Sequence, residues 1–181
     1  MKLRYVFGLL VWAIIIICIG TNMSTLSSEP KKNIALVKTL AEQVFSDHPV
    51  VAKLCLAQAI LESRLQSKPS DLAFKYNNLF GIKGQGTKGR VNLITKEQDS
   101  SGSENTIRDG FAYNSSIEDS IKQYRNLLEK GTRDKPDRYA KVLSASTFEE
   151  AATEIRKAGY ATDIRYTKML LNIYNTIIKN L

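Results

Sequence analysis

Residues 57–63 read A-Q-A-I-L-E-S and place one carboxylate, Glu62, near the end of a long apolar run. Cys55, Ala59 and Glu62 fall at i, i+4 and i+7, one face of a helix, so Glu62 continues an apolar stripe. Desolvation disfavours the charged form of a carboxyl and raises its pKa. A carboxyl that keeps its proton near neutral pH is what a general acid for a glycosidic oxygen needs. The same spacing also fits a partly exposed terminal glutamate bonded to Arg64 or to a loop amide.

Residues 77–84, N-N-L-F-G-I-K-G, begin fifteen positions after Glu62. Asparagine tolerates left-handed geometry and bonds nearby backbone, and glycine permits tight turns. Asn78 and the neighbouring backbone are candidate ligands for acetamido or hydroxyl groups, with Phe80 packed beneath; a purely structural turn has the same composition. Glycoside hydrolysis commonly needs a second carboxylate across the cleft. Glu97, Asp99 and Glu104 lie in a polar stretch and qualify by type, although solvated loop acids look no different. A later block, G-Y-A-T-D at 159–163, adds Tyr160 and Asp163. Tyr160 is a candidate cleft residue or a half-buried aromatic, and Asp163 a candidate helix cap. His48 is the sole histidine and has no Cys or His partners nearby, so neither a zinc site nor a cofactor is expected.

The elements that must hold these residues are mostly helical. Ile34, Val37, Leu40, Ala41 and Val44 follow helical spacing. Pro49 suits a first helical turn, and residues 50–62 are nearly all apolar, which implies burial on most sides. Residues 81–110 differ: glycine recurs, and 91–95 alternate, which predicts a small β hairpin or irregular β lobe. Helices resume after Ser115 and Glu118, and again after Thr147 and Glu150, each pair spaced as a capping box. A last stripe is Tyr166, Met169, Leu170, Ile173 and Ile177. The expectation is a mainly α domain at 33–181 with a small β lobe inserted between early and late helices.

The 181 residues suit one domain plus an appendage, and the 43% hydrophobic fraction suffices for a core. The formal net charge of +8 favours an anionic partner. The basic residues are scattered, with no run of five, which disfavours a nucleic-acid arm. Lys2 and Arg4 precede an uncharged apolar stretch at 5–20. Sixteen residues make a helix of roughly 24 Å, short against a hydrocarbon core of about 30 Å. Residues 1–20 are read as a membrane anchor or a cleaved signal, with the remainder exported, and polar 21–32 as a linker. Cys18 lies in the apolar stretch and Cys55 in a helix, so no disulfide is expected and Cys55 reads as core.

Together, A-Q-A-I-L-E-S, N-N-L-F-G-I-K-G, S-I-E-D-S-I at 116–121 and G-Y-A-T-D followed by Tyr166 and Lys168 resemble, in order and spacing, the glucosaminidase family of bacterial cell-wall hydrolases, glycoside hydrolase family 73. The resemblance spans roughly residues 31–181. It implies a lysozyme-like α fold with a β lobe and cleavage of the peptidoglycan glycan strand as an endo-β-N-acetylglucosaminidase. By matching position it implies Glu62 as the catalytic acid, Glu97 of a T-x-E segment with Thr95 as the second carboxylate, Tyr160 as a cleft tyrosine, and Asn78 and Phe80 as substrate-binding residues. It also implies work outside the cytoplasm, at the membrane, secreted, or on a virion if phage-encoded. The chain departs from the family pattern in four places. E-S-G-W-G is here Glu62 to Gln66, E-S-R-L-Q; T-x-E-Y ends in Gln98; Asn114 stands where F-x-x-Y has tyrosine; Ile164 replaces a proline. The alternatives are an N-acetylmuramidase or lytic transglycosylase, which needs only one acid, and a wall-binding structural protein with a decayed site.

Overall fold

A computed structural model of the chain describes residues 23–98 and 104–181. The expected hydrophobic helix at 5–20 lies outside the described residues, as do Cys18 and Asp99. No helix among the described residues is long and apolar enough to cross a membrane.

Among the described residues, seven α-helices and one hairpin follow in chain order: α1 Ser28–Val44, α2 Pro49–Ser63, α3 Asp71–Tyr76, β1 Gly89–Gln98, β2 Glu104–Tyr113, α4 Ile117–Lys130, α5 Ala140–Leu143, α6 Phe148–Lys157 and α7 Tyr166–Thr176. Single 3₁₀ turns at Met23–Thr25 and Ile178–Asn180 flank them. The architecture is mainly helical with one two-stranded antiparallel sheet.

Helix α2 is the hub. Eleven of its fifteen residues are buried, because α1, α6 and α7 pack around it. An element covered on nearly every side needs an apolar residue at nearly every position, and its composition is just that. Its neighbours bury one stripe each: Ile34, Val37 and Ala41 on α1, Tyr166, Leu170 and Ile173 on α7. Cys55 lies fully inside, a free thiol whose pKa burial pushes up.

Three local expectations are corrected. Of the linker expected at 21–32, the described part is instead folded: α1 begins at Ser28, and Leu26 and Pro30 are buried. Pro30 is compatible because the first helical turn has no intrahelical partner for its missing N–H. The cap of α4 is Ser116, whose hydroxyl accepts from the Asp119 N–H at 3.0 Å, not Ser115. Ser115 is engaged by Thr87 instead, its N–H donating to the Thr87 hydroxyl at 2.8 Å. Asp163 does not cap α7: its carboxylate takes the Arg165 N–H at 2.8 Å and the Arg165 guanidinium at 2.7 Å. The Thr147 cap holds, accepting from the Glu150 N–H at 3.2 Å.

The strands pair from Gly89↔Tyr113 at the base to Gln98↔Glu104 at the far end. The hairpin is fixed at its base. The Ala112 N–H donates to the Ile82 carbonyl at 2.9 Å, and the Gly84 N–H to the Gly110 carbonyl at 3.0 Å.

Candidate functional site

Glu62 sits one residue before the end of α2. Arg64 follows at φ 55°, a left-handed turn that ends the helix at once. The side chain is only partly exposed, and burial pushes its pKa up to about 7, a rise that a hydrogen bond from Tyr166 partly offsets. The Tyr166 hydroxyl donates to Glu62 Oε1 at 2.7 Å. Glu62 is therefore a carboxyl that exchanges its proton near neutral pH while one oxygen is already anchored.

Behind it runs a buried polar chain. Gln58, one turn earlier on α2, donates from Nε2 to the Tyr166 hydroxyl at 2.8 Å, and the Tyr124 hydroxyl donates to Gln58 Oε1. Tyr166, Gln58 and Tyr124 are all fully buried. Helices α2, α4 and α7 each contribute one member, so the acid's setting is a product of tertiary packing.

The N-N-L-F-G-I-K-G segment forms the turn beside the acid and is fastened to the same helix end. The Ser63 hydroxyl, adjacent to Glu62, donates to the Leu79 carbonyl at 2.7 Å, and the Leu79 N–H donates to the Ser120 hydroxyl at 3.1 Å. Asn77 takes the left-handed conformation at φ 49°. Asn78 is buried, and its side chain is engaged with main chain on both sides. Its Nδ2 donates to the Ile82 carbonyl at 2.8 Å and the Ala112 carbonyl at 3.0 Å, and its Oδ1 accepts from the Ile82 N–H at 3.0 Å. Phe80 is fully buried and stacked on Tyr124, ring centroids 4.4 Å apart. Both residues thus lie beneath the surface and hold the turn and hairpin base; neither presents a face to a ligand.

Tyr160 is likewise fully buried, and its hydroxyl donates to the Phe80 carbonyl at 3.1 Å. Gly159, at φ 80°, closes α6 and turns Tyr160 into the core, where its ring lies 6.2 Å from those of Tyr124 and Tyr166. The tyrosine that touches Glu62 is Tyr166. Glu97 belongs to β1, its main chain paired with Asn105 next to the far end of the sheet; Glu104 opens β2. Asn114, where the family pattern has tyrosine, is a buried hub that holds the Asn77 carbonyl at 3.3 Å, Gln123 at 3.0 Å and the Thr87 N–H at 3.2 Å.

Tyr166 and Gln58 were not singled out by spacing. Tyr166 reads as the first position of an apolar stripe. Gln58 carries the better signal: a lone amide inside an apolar run, one turn before the acid. A groove of about 380 Å³ lies elsewhere, lined by Phe45, Pro49, Lys53 and Tyr174 at the opposite end of α2. No group of His, Cys, Asp and Glu among the described residues could hold a metal ion.

Residues 38–179 match the family model for glucosaminidase, described as mannosyl-glycoprotein endo-beta-N-acetylglucosaminidase. The chain is 37% identical over 126 residues to the exo-glucosaminidase LytG of Bacillus subtilis, covering 70% of this chain and 44% of that protein. It is 32% identical over 158 residues to the peptidoglycan hydrolase FlgJ of Escherichia coli, covering 82% of this chain and 47% of that protein. The chain thus spans less than half the length of these relatives. Among solved structures, the catalytic domain of the autolysin Auto from Listeria monocytogenes superposes with a TM-score of 0.72 at 26% identity, covering 84% of this chain and 88% of that one. A family model matched over residues 38–179, with a relative 37% identical over 70% of the chain, shows that the chain belongs to the glucosaminidase family.

Proposed function

We propose that the chain is a glycoside hydrolase that cuts the glycan strand of peptidoglycan as an endo-β-N-acetylglucosaminidase, with Glu62 as general acid. One observation carries the reading: a carboxyl at the end of a buried helix, with its pKa near 7 and one oxygen fixed by a tyrosine. Such a group is still largely protonated where ordinary carboxyls are ionised, and it needs no rearrangement to give that proton up. Glu97 supplies the second carboxylate from β1, as base toward water in an inverting route, or it yields that role to the substrate's own N-acetyl group. Tyr160 supports the site from below through the Phe80 carbonyl, and Asn78 and Phe80 shape the cleft wall rather than bind sugar directly. The basic surface suits an anionic wall. The enzyme works outside the cytoplasmic membrane, delivered there by residues 1–20.

Mass spectrometry of digested peptidoglycan tests this directly. Internal cuts leaving N-acetylglucosamine at the new reducing end are expected. A new N-acetylmuramic acid end, an anhydro end, or release of single sugars from strand termini would each replace the assignment, by a muramidase, a transglycosylase or an exo-acting enzyme respectively. An undigested wall would favour a binding protein.

A further inference from the structure

We infer that Gln58 is a positioning residue: held by Tyr124, it sets the direction of the buried hydrogen-bond chain so that Tyr166 donates to Glu62 Oε1 and the acid carries its own proton on Oε2. This rests on the reading of Glu62 as general acid.

The direction follows from donor and acceptor counting. A tyrosine hydroxyl has one hydrogen, and an amide nitrogen only donates. Gln58 Nε2 donates to Tyr166 at 2.8 Å, so the Tyr166 hydrogen is left for Glu62 Oε1 at 2.7 Å. With Oε1 occupied as an acceptor, the proton of the neutral acid belongs on Oε2, which has no hydrogen-bond partner among the described residues. Once that proton has left, the same Tyr166 hydrogen stabilises the new carboxylate.

The amide turned over would reverse the chain. Gln58 Oε1 would then take the Tyr166 hydrogen, and Glu62 would have to spend its proton on Tyr166 instead of on a substrate. Tyr124 decides against this. Its hydroxyl is fully buried, and Gln58 Oε1 is its acceptor. Facing an NH₂ group, its hydrogen would have no acceptor among the described residues, which the core penalises. Tyr124 is held in place by its stack on Phe80 and its edge contact with Phe45. A tyrosine on α4 thus orients an amide on α2, which orients a tyrosine on α7, which orients the acid.

The titratable groups facing this chain are Cys55 from α2, Tyr124 from α4, Tyr139 at the start of α5, Tyr160 after α6 and Tyr166 from α7. Burial raises the pKa of each above its ordinary value, so Glu62 alone changes charge near neutrality.

The test is the pH–rate profile on purified peptidoglycan for the wild type, Gln58→Met and Tyr124→Phe, with Glu62→Gln as control. Losing the amide's constraint is worth about one hydrogen bond, so kcat of Gln58→Met falls about tenfold. Its basic limb moves to higher pH, because the Tyr166 oxygen, no longer occupied by the amide, is free to accept the proton of the neutral acid and so favours the protonated form. Tyr124→Phe, which keeps the ring on Phe80, shows the same shift in smaller measure and decides the matter alone if Gln58→Met does not fold. A merely structural Gln58 would lower Tm and leave the limb in place; that result overturns the positioning role. Full activity in Glu62→Gln would sink the underlying assignment as well, whereas an inert Glu62→Gln beside an unmoved limb would sink the positioning role alone.

Discussion

Replacing Glu62 by glutamine should reduce activity and, at the same time, make the protein more stable in a pH-dependent way. The unfolded chain ionises Glu62 at an ordinary pKa of 4.5, while the folded chain holds the proton up to about 7. Below pH 4.5 both states are protonated and nothing is gained or lost. Between 4.5 and 7 the unfolded state has released a proton that the folded state keeps, so folding stability falls as pH rises. Above 7 both are ionised and the penalty is constant. The full gap corresponds to roughly 3 kcal/mol at about 1.4 kcal/mol per pH unit, and water reaching the exposed part of the carboxyl reduces it to about 1–2 kcal/mol. Glutamine has no charge to desolvate and still offers an oxygen to Tyr166. The stability advantage of Glu62→Gln should therefore be absent near pH 4, open between 4.5 and 7, and level off above, worth about 3–6 °C in Tm. Denaturant unfolding of both proteins from pH 4 to 9 measures it. On peptidoglycan the variant should lose about 10²–10⁴-fold in rate, and the wild type should fade as pH rises through 7. A stability difference independent of pH, or a wild-type rate that already collapses near 4.5, would refute the claim that desolvation holds the proton on this acid.

Arg64 sits at φ 55°, where the family pattern carries glycine, and a side chain in that conformation costs about 1 kcal/mol. Arg64→Gly should therefore raise Tm by a few degrees without changing kcat; a lower Tm would mean that Arg64 makes a compensating contact. Tyr160→Phe removes the donor to the Phe80 carbonyl and should cost about 1–2 kcal/mol of stability. Unchanged Tm with reduced turnover would instead give that hydroxyl a direct role in the site. For the second carboxylate, Glu97→Gln should cut activity more than Asp99→Asn or Glu104→Gln on the same substrate, and a silent Glu97→Gln beside a crippled neighbour moves the role to that neighbour.

What was legible in the sequence is what depends on local spacing. The burial of α2 follows from its composition, the α1 and α7 stripes from their period, and the hairpin from glycine recurrence around an alternating segment. The Asp163 cap was not legible, because Arg165 two residues later competes for the same carboxylate. The start of α1 was hidden by a polar, proline-containing stretch whose proline falls in the one turn that accepts it. The polar chain behind Glu62 was least legible of all. Gln58 and Tyr166 lie 108 positions apart, and no periodicity links them. Asn78 looked like a ligand because asparagine in a glycine-rich turn suits either role, and only its three main-chain bonds reveal which one it serves.

The proposed acid and the proposed second carboxylate belong to very different elements, and this bears on stereochemistry. Glu62 is on a helix packed on most sides, beside a turn pinned through Ser63, Leu79 and Ser120. Glu97 is on a hairpin whose fixed point is its base, where Asn78 and Ile82 bond Ala112, itself paired with Arg90. From Arg90 to Glu97 the strand runs seven residues, about 23 Å at roughly 3.3 Å each. A tilt of about 10° at the base would carry that position about 4 Å. Retaining and inverting glycosidases differ by about that much in carboxylate separation, roughly 5 Å against 6.5–9.5 Å. The proposed role of Glu97 as a base toward water therefore requires the hairpin to be held at the angle that keeps the wider spacing. The residues that set that angle are Asn78, Ile82 and Gly84 at the base, which bond Ala112 and Gly110, so the bonding of this turn bears on the geometry of the site as directly as the anchoring of the acid itself.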